Sequence, residues 1–193
     1  EEIMPNDFSQ GVTFGDRAFE QSVAASPERQ QLYLLWADHK LRFGKVAEGL
    51  EIMRKARSFS PSSGFMLRLY GEYLDSARIN RPESANTRDL SFRLSPELYG
   101  IHEAEQVALD MAKYGNGPRS IDMMRAFLAC KGHDTGIACP APFVGVSYNP
   151  SRDVFDVVVR FYRGMGDREA AEKYEAFAKM YFNDFIVEEP KKK

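Results

Sequence analysis

The sequence predicts an all-α fold, a stack of antiparallel helix pairs interrupted by one long irregular loop. Three observations predict it. The dipeptide Ser-Pro recurs at Ser26-Pro27, Ser60-Pro61 and Ser95-Pro96, so the prolines stand 34 and 35 residues apart, the length of one helix–turn–helix unit. Within each period, apolar or small residues recur three and four apart, as on one face of a helix. Gly or Pro stands where these runs stop.

Taken in order, the first segment is a half copy, from Gly15-Asp16-Arg17-Ala18-Phe19 to Ala25-Ser26-Pro27. A helix over 28–43 follows. Pro27 suits its start, where a missing backbone N–H costs nothing, and Gly44 suits its left-handed end. Leu32, Leu35, Trp36 and Phe43 form its apolar set, and His39, beside Asp38 and Lys40, reads as solvated or groove-lining. In the next helix Val46, Leu50, Met53 and Ala56 share the core face, while Glu48, Glu51, Arg54 and Lys55 face water. A looser copy runs from Ile79 through Arg81-Pro82-Glu83-Ser84 to Leu94. A distorted fourth unit carries Ile101, Ala104, Val107, Ala108 and Met111 on one helix face. After the break Gly115-Asn116-Gly117-Pro118, Ile121, Met124, Phe127 and Leu128 form the next face. The last unit is regular, with Phe155, Val158, Val159 and Tyr162, then Gly164-Met165-Gly166-Asp167, then Ala170, Ala171, Tyr174, Phe177, Ala178 and Tyr181. Counting half units, this makes about five helix pairs. Residues 1–14 read as a linker, 15–187 as the helical domain with a long loop at 131–150, and 188–193 as a charged tail, with Phe182, Phe185 and Ile186 capping the last apolar face.

The chain has 193 residues, 44% hydrophobic and 28% charged, enough to bury a core as one domain. Its 26 basic and 28 acidic residues leave a net charge of −2, with no positive excess to neutralise a phosphate backbone, so nucleic acid is not an expected partner. No run approaches the roughly 20 apolar residues of a membrane span; the most apolar segment, 154–162, is interrupted by Asp156 and Arg160. The first residues, Glu1-Glu2-Ile3-Met4, lead to the expectation that an upstream part has been removed, either a signal peptide or the rest of a longer protein.

No reaction centre is legible. The histidines are His39, His102 and His133, and His102-Glu103-Ala104-Glu105-Gln106 lacks the second histidine of a zinc-protease helix. Gly145-Val146-Ser147-Tyr148-Asn149 lacks the closing glycine of a nucleophile elbow, and Gly164-Met165-Gly166 follows a helix where a dinucleotide fingerprint must follow a strand. Glu103/Glu105 and Glu188-Glu189 read as solvated surface. No catalytic residue, cofactor or metal is expected. Cys130 and Cys139, nine residues apart in the loop, suit a disulfide that would contribute about 2.7 kcal/mol through loop closure. Free thiols and a zinc site with His133 and Asp134 are the alternatives, although Cys-x2-His-x5-Cys is not a standard spacing. The continuation, 143–150, either folds back onto neighbouring helices or forms a partner-binding finger.

The residues 30–63 resemble the tetratricopeptide repeat (TPR) family: Ala37, Gly49 and Ala56 stand at its close-packing positions, Gly44 ends the first helix and Pro61 sits near the repeat end. The last copy is similar, with Val159, Gly166, Ala171 and Ala178 in those places and Asn183 where proline would be; the third has Ser84 and Ser91 at two small positions. The resemblance implies a right-handed solenoid whose first helices line a concave surface that holds a partner segment. Its groove positions fall on Gln31, Leu34, Asp38 and Arg42, on Phe65, Arg68 and Glu72, and on Asp153, Asp156 and Arg160. Leu34/Asp38 and Arg68/Glu72 replace the lysine and asparagine pairs of chaperone-binding relatives. The function expected is a non-catalytic protein-interaction or scaffold module in a larger assembly, membrane-associated or free, with periplasmic or extracytoplasmic location set against a cytoplasmic one. Ser26-Pro27-Glu28-Arg29-Gln30-Gln31-Leu32-Tyr33 before a repeat also resembles the start of the soluble repeat domain of O-antigen ligase-type polysaccharide ligases and polymerases, which implies an accessory domain of a membrane enzyme.

Overall fold

A computed structural model of the chain describes residues 14–134 and 136–187, so nearly all of the expected linker and the whole expected tail lie outside the described residues. Among the described residues there are nine α-helices: α1 (Phe14–Ala25), α2 (Gln30–Arg42), α3 (Val46–Phe59), α4 (Gly64–Ser76), α5 (Arg81–Leu94), α6 (Ile101–Tyr114), α7 (Gly117–Ala129), α8 (Arg152–Gly164) and α9 (Arg168–Tyr181). None is long and apolar enough to cross a membrane. The chain divides into two compact units, residues 1–95 with α1–α5 and residues 96–193 with α6–α9.

In the first unit α2 pairs with α3 and α4 with α5, α1 packs on α2, and the two first helices α2 and α4 also touch. Its core gathers Val23, Tyr33, Ala37, Met53, Ala56, Met66, Leu69, Tyr70, Tyr73 and Leu74. Small residues let the helices approach. A methyl group on Gly49 would stand 3.0 Å from the Ala37 carbonyl oxygen and against the Tyr73 hydroxyl, which crosses there to donate to the Val46 carbonyl at 3.2 Å. Ser84 and Ser91 do the same work in α5 by hydrogen bonding. Ser84 Oγ donates to the Gly71 carbonyl at 2.9 Å and Ser91 Oγ to the Gly64 carbonyl at 2.6 Å, so the seven-residue spacing of the serines matches that of the glycines across the pair.

Four helices end in one turn. At α2, Gly44 takes φ +73°, its N–H donates to the Leu41 carbonyl, and the next N–H, of Lys45, reaches back to the Lys40 carbonyl. The pattern repeats with Arg78 after α4, Gly132 after α7 and Gly166 after α8, the left-handed stop that frees a helix from its orphan carbonyls.

Several local expectations differ. Pro27 lies in the turn before α2, whose N-cap is Arg29, and Leu35 and Phe43 are exposed while Tyr33 is buried. Lys40 is 7% exposed, because its ammonium bridges Asp16 of α1 at 2.9 Å and Glu48 of α3 at 2.7 Å, and Trp36 Nε1 donates to the same Asp16. Burial would pull the Lys40 pKa down; the hydrogen bonds to Glu48 and Asp16 hold it above the ordinary lysine value. His39 packs between the rings of Phe19 and Phe43.

In the second unit α6 pairs with α7 and α8 with α9, with further packing of α7 and α6 on α8. The apolar faces expected of α6 and α7 are wholly buried, so this pair is regular. Ile186 is exposed and Val187 takes its place in the core beside Phe185. Glu105 is buried rather than solvated, and accepts from the Tyr148 hydroxyl and the Ser151 N–H.

The loop between α7 and α8 folds back on its own unit. Cys130 and Cys139 stand as a disulfide pair, with sulfurs 2.15 Å and Cα atoms 4.7 Å apart. Phe143 is buried against Phe127, and Tyr148 reaches Glu105 of α6. His133 packs on Phe177 and pairs with the Tyr181 hydroxyl at 2.6 Å. Among the described residues of the loop, Val144 and Val146 are the large apolar side chains left exposed.

Candidate partner-binding face

The first helices present their expected groove residues as follows. On α2, Gln31 and Arg42 are exposed and Leu34 and Asp38 half-buried, on the side of the helix away from Tyr33, Ala37 and Lys40. On α4, Phe65, Arg68 and Glu72 are all half-buried. These seven residues share one face of the first unit, because α2 and α4 pack side by side. Leu34 and Phe65 lean on the core below, which leaves part of each side chain exposed.

The charges on this face interact across the helices. Arg68 Nε donates to Glu72 Oε1 at 2.7 Å along α4. Burial raises the Asp38 pKa above the ordinary carboxylate value; Arg42, one turn on, opposes the rise and Glu72 of α4 adds to it. Asp38 also contributes, after burial, to the raised pKa of Tyr73 beneath it. The face is thus mixed in sign and partly dehydrated. Asp153, Asp156 and Arg160 of α8 belong to the second unit, where Asp153 and Arg160 are exposed and Arg160 Nε pairs with Asp156 at 2.7 Å.

Some polar constellations escape sequence reasoning. Asp134, beside the disulfide, receives Arg125 Nε at 2.8 Å, the Tyr174 hydroxyl at 2.5 Å and the Gly136 N–H at 2.8 Å. Burial alone would raise its pKa, but these donors, led by Arg125, hold it below the ordinary carboxylate value. Burial, then the hydrogen bond to Asp134, pushes Tyr174 up. A carboxylate with three donors on it, one of them a guanidinium, ties together the segments that carry them. Among the described residues no three His, Cys, Asp or Glu side chains converge as metal ligands.

Two solved structures share the fold. A crystal structure of MamA superposes with a TM-score of 0.53 at 15% identity, covering 86% of this chain and 88% of that one. A second MamA structure gives 0.52 at 15% identity, covering 89% and 86%. The fold is therefore an all-α, TPR-like solenoid of antiparallel helix pairs with one long irregular loop. No family model and no curated protein matches the sequence. Neither structure is an O-antigen ligase, and the resemblance of 26–33 to the ligase repeat domain gains no support.

Proposed function

We propose that this chain is a non-catalytic scaffold module that holds a segment of a partner protein on the α2/α4 face, within a larger assembly. The observation that carries the reading is that face itself: seven residues from two adjacent helices, mixed in charge, with Leu34 and Phe65 only half-buried between them. Such a surface sets partly exposed apolar area beside charged side chains, a combination found in protein interfaces. The fold supports the reading through the general use of helical repeats as protein-binding surfaces. We further propose a periplasmic or other extracytoplasmic setting, on the strength of the Cys130–Cys139 pair, since disulfides persist in oxidising compartments.

Affinity capture from native extract with the natural chain and with Arg42→Glu/Arg68→Glu tests the scaffold reading. The double variant should retain its helical circular dichroism and lose most of the captured partner. Equal capture by both would sink the assignment of the face. Membrane and soluble fractions of the extract, captured separately, distinguish a membrane-associated assembly from a free one.

A further inference from the structure

Each of three first helices carries an oppositely charged pair one turn apart, and the three differ in one respect. Arg68/Glu72 of α4 and Asp156/Arg160 of α8 close on themselves at 2.7 Å. Asp38 and Arg42 of α2 do not. Neither makes a hydrogen bond or ion pair with any described residue, and they feel each other only at longer range. Asp38 is moreover half-buried and has the Glu72 carboxylate acting on it from α4. A partly dehydrated charge without a donor is unfavourable, and a ligand that supplies the donor relieves it.

Resting on the scaffold reading above, we propose that the α2/α4 face binds an extended partner segment carrying a Lys or Arg and an Asp or Glu two residues apart. The cation sits on Asp38 with Glu72 behind it, the anion sits on Arg42, and a neighbouring apolar side chain rests on Leu34 and Phe65. The spacing follows from backbone geometry. Residues four apart on a helix are separated by about 6 Å along its axis. Side chains two apart on an extended strand point the same way and stand about 6.6 Å apart. One strand-like segment therefore reaches both groups at once. A wholly basic segment is repelled by Arg42 and a wholly acidic one by Asp38 and Glu72, so the arrangement also rejects the wrong partner.

Three labelled, acetylated dodecapeptides on one Leu/Phe/Ser/Gly framework, differing only in a central Lys-Ser-Glu, Lys-Ser-Lys or Glu-Ser-Glu, test the proposal by fluorescence anisotropy at roughly 20 mM salt, where screening is weak. The full natural chain should bind the Lys-Ser-Glu peptide about five-fold tighter than the other two, equivalent to about 1 kcal/mol. Asp38→Asn, nearly isosteric, should abolish that margin, and Arg42→Glu should move the preference to Lys-Ser-Lys. Circular dichroism and urea midpoints establish that both variants are folded. Equal affinity for all three peptides, an unchanged preference in Asp38→Asn, or no binding of any peptide overturns the proposal. If native partner capture still depends on Arg42 and Arg68 in that event, the scaffold reading stands and only the charge pattern falls.

Discussion

Tyr174 donates its hydroxyl to the Asp134 carboxylate at 2.5 Å, tying the first turn of the long loop to the last helix. Arg125 approaches the same carboxylate from α7, so the side chain, 2% exposed, joins three segments of the second unit. Asp134→Asn leaves the guanidinium without its counter-charge and should destabilise the chain by about 2–3 kcal/mol at pH 7. The folded Asp134 titrates below its ordinary value. Its contribution is therefore complete above the unfolded value of about 3.9 and is lost as pH falls through the lower folded value. Urea unfolding of both chains at pH 7 and at about pH 2.5 should show the gap narrowing in acid; a constant gap would contradict this role.

Gly49 faces the Tyr73 hydroxyl and the Ala37 carbonyl with no room for a methyl group. Gly49→Ala, ordinarily favourable inside a helix, should here cost about 1–3 kcal/mol through forced displacement of α2 or Tyr73. Adding Tyr73→Phe removes the nearest obstacle and leaves the ring carbon and the Ala37 carbonyl oxygen, each at 3.0 Å. A double-mutant cycle by urea denaturation should then show a smaller loss than the sum of the single changes.

Arg78 holds φ +55° in the turn where Gly44, Gly132 and Gly166 serve elsewhere. A side chain there is strained, so Arg78→Gly should raise stability by about 0.5–1 kcal/mol, the larger freedom of glycine in the unfolded chain offsetting part of the gain. The midpoint of urea unfolding reads the change directly.

Reduction of the Cys130–Cys139 pair, or Cys130→Ser/Cys139→Ser, should lower stability by about 2–3 kcal/mol. The Asp134, Phe143 and Tyr148 anchors are independent of the sulfurs, so the helical circular dichroism at 25 °C should not change. Intact mass after alkylation of the unreduced, denatured chain decides the pairing: two alkylated thiols would exclude it.

The helix pairs and their packing seams are legible because their signals are local. The Ser-Pro period, the glycine at a helix end and the small residues Ala37, Gly49 and Ala56 each act within one turn or one pair, and all three small residues are buried. Even Ser84 and Ser91, which depart from the small-residue pattern, mirror Gly71 and Gly64 at the same seven-residue spacing. The polar interior is not legible in this way. Lys40 is buried only because Asp16 and Glu48 arrive from neighbouring helices, and Glu105 only because Tyr148 returns 43 residues later. Periodicity also puts Leu35 and Phe43 in the core, because it ranks residues by hydrophobicity and does not register on which side the neighbouring helices pack. The repeat spacing puts Gln31, Leu34, Asp38 and Arg42 on one side of α2 and Phe65, Arg68 and Glu72 on one side of α4. That Arg68/Glu72 closes on itself while Asp38/Arg42 stays open depends on side-chain placement, which spacing does not encode.

Helix α2 divides its duties by angle around its own axis. Tyr33, Ala37 and Lys40 bind it to the core and to α1 and α3, while Gln31, Asp38 and Arg42 take no part in those bonds. Substitutions on the outer arc of α2 can therefore accumulate without disturbing the packing that holds the helix in place. The triad around Lys40 pins three helices at one point, so the inner arc of α2 is constrained where the outer arc is not.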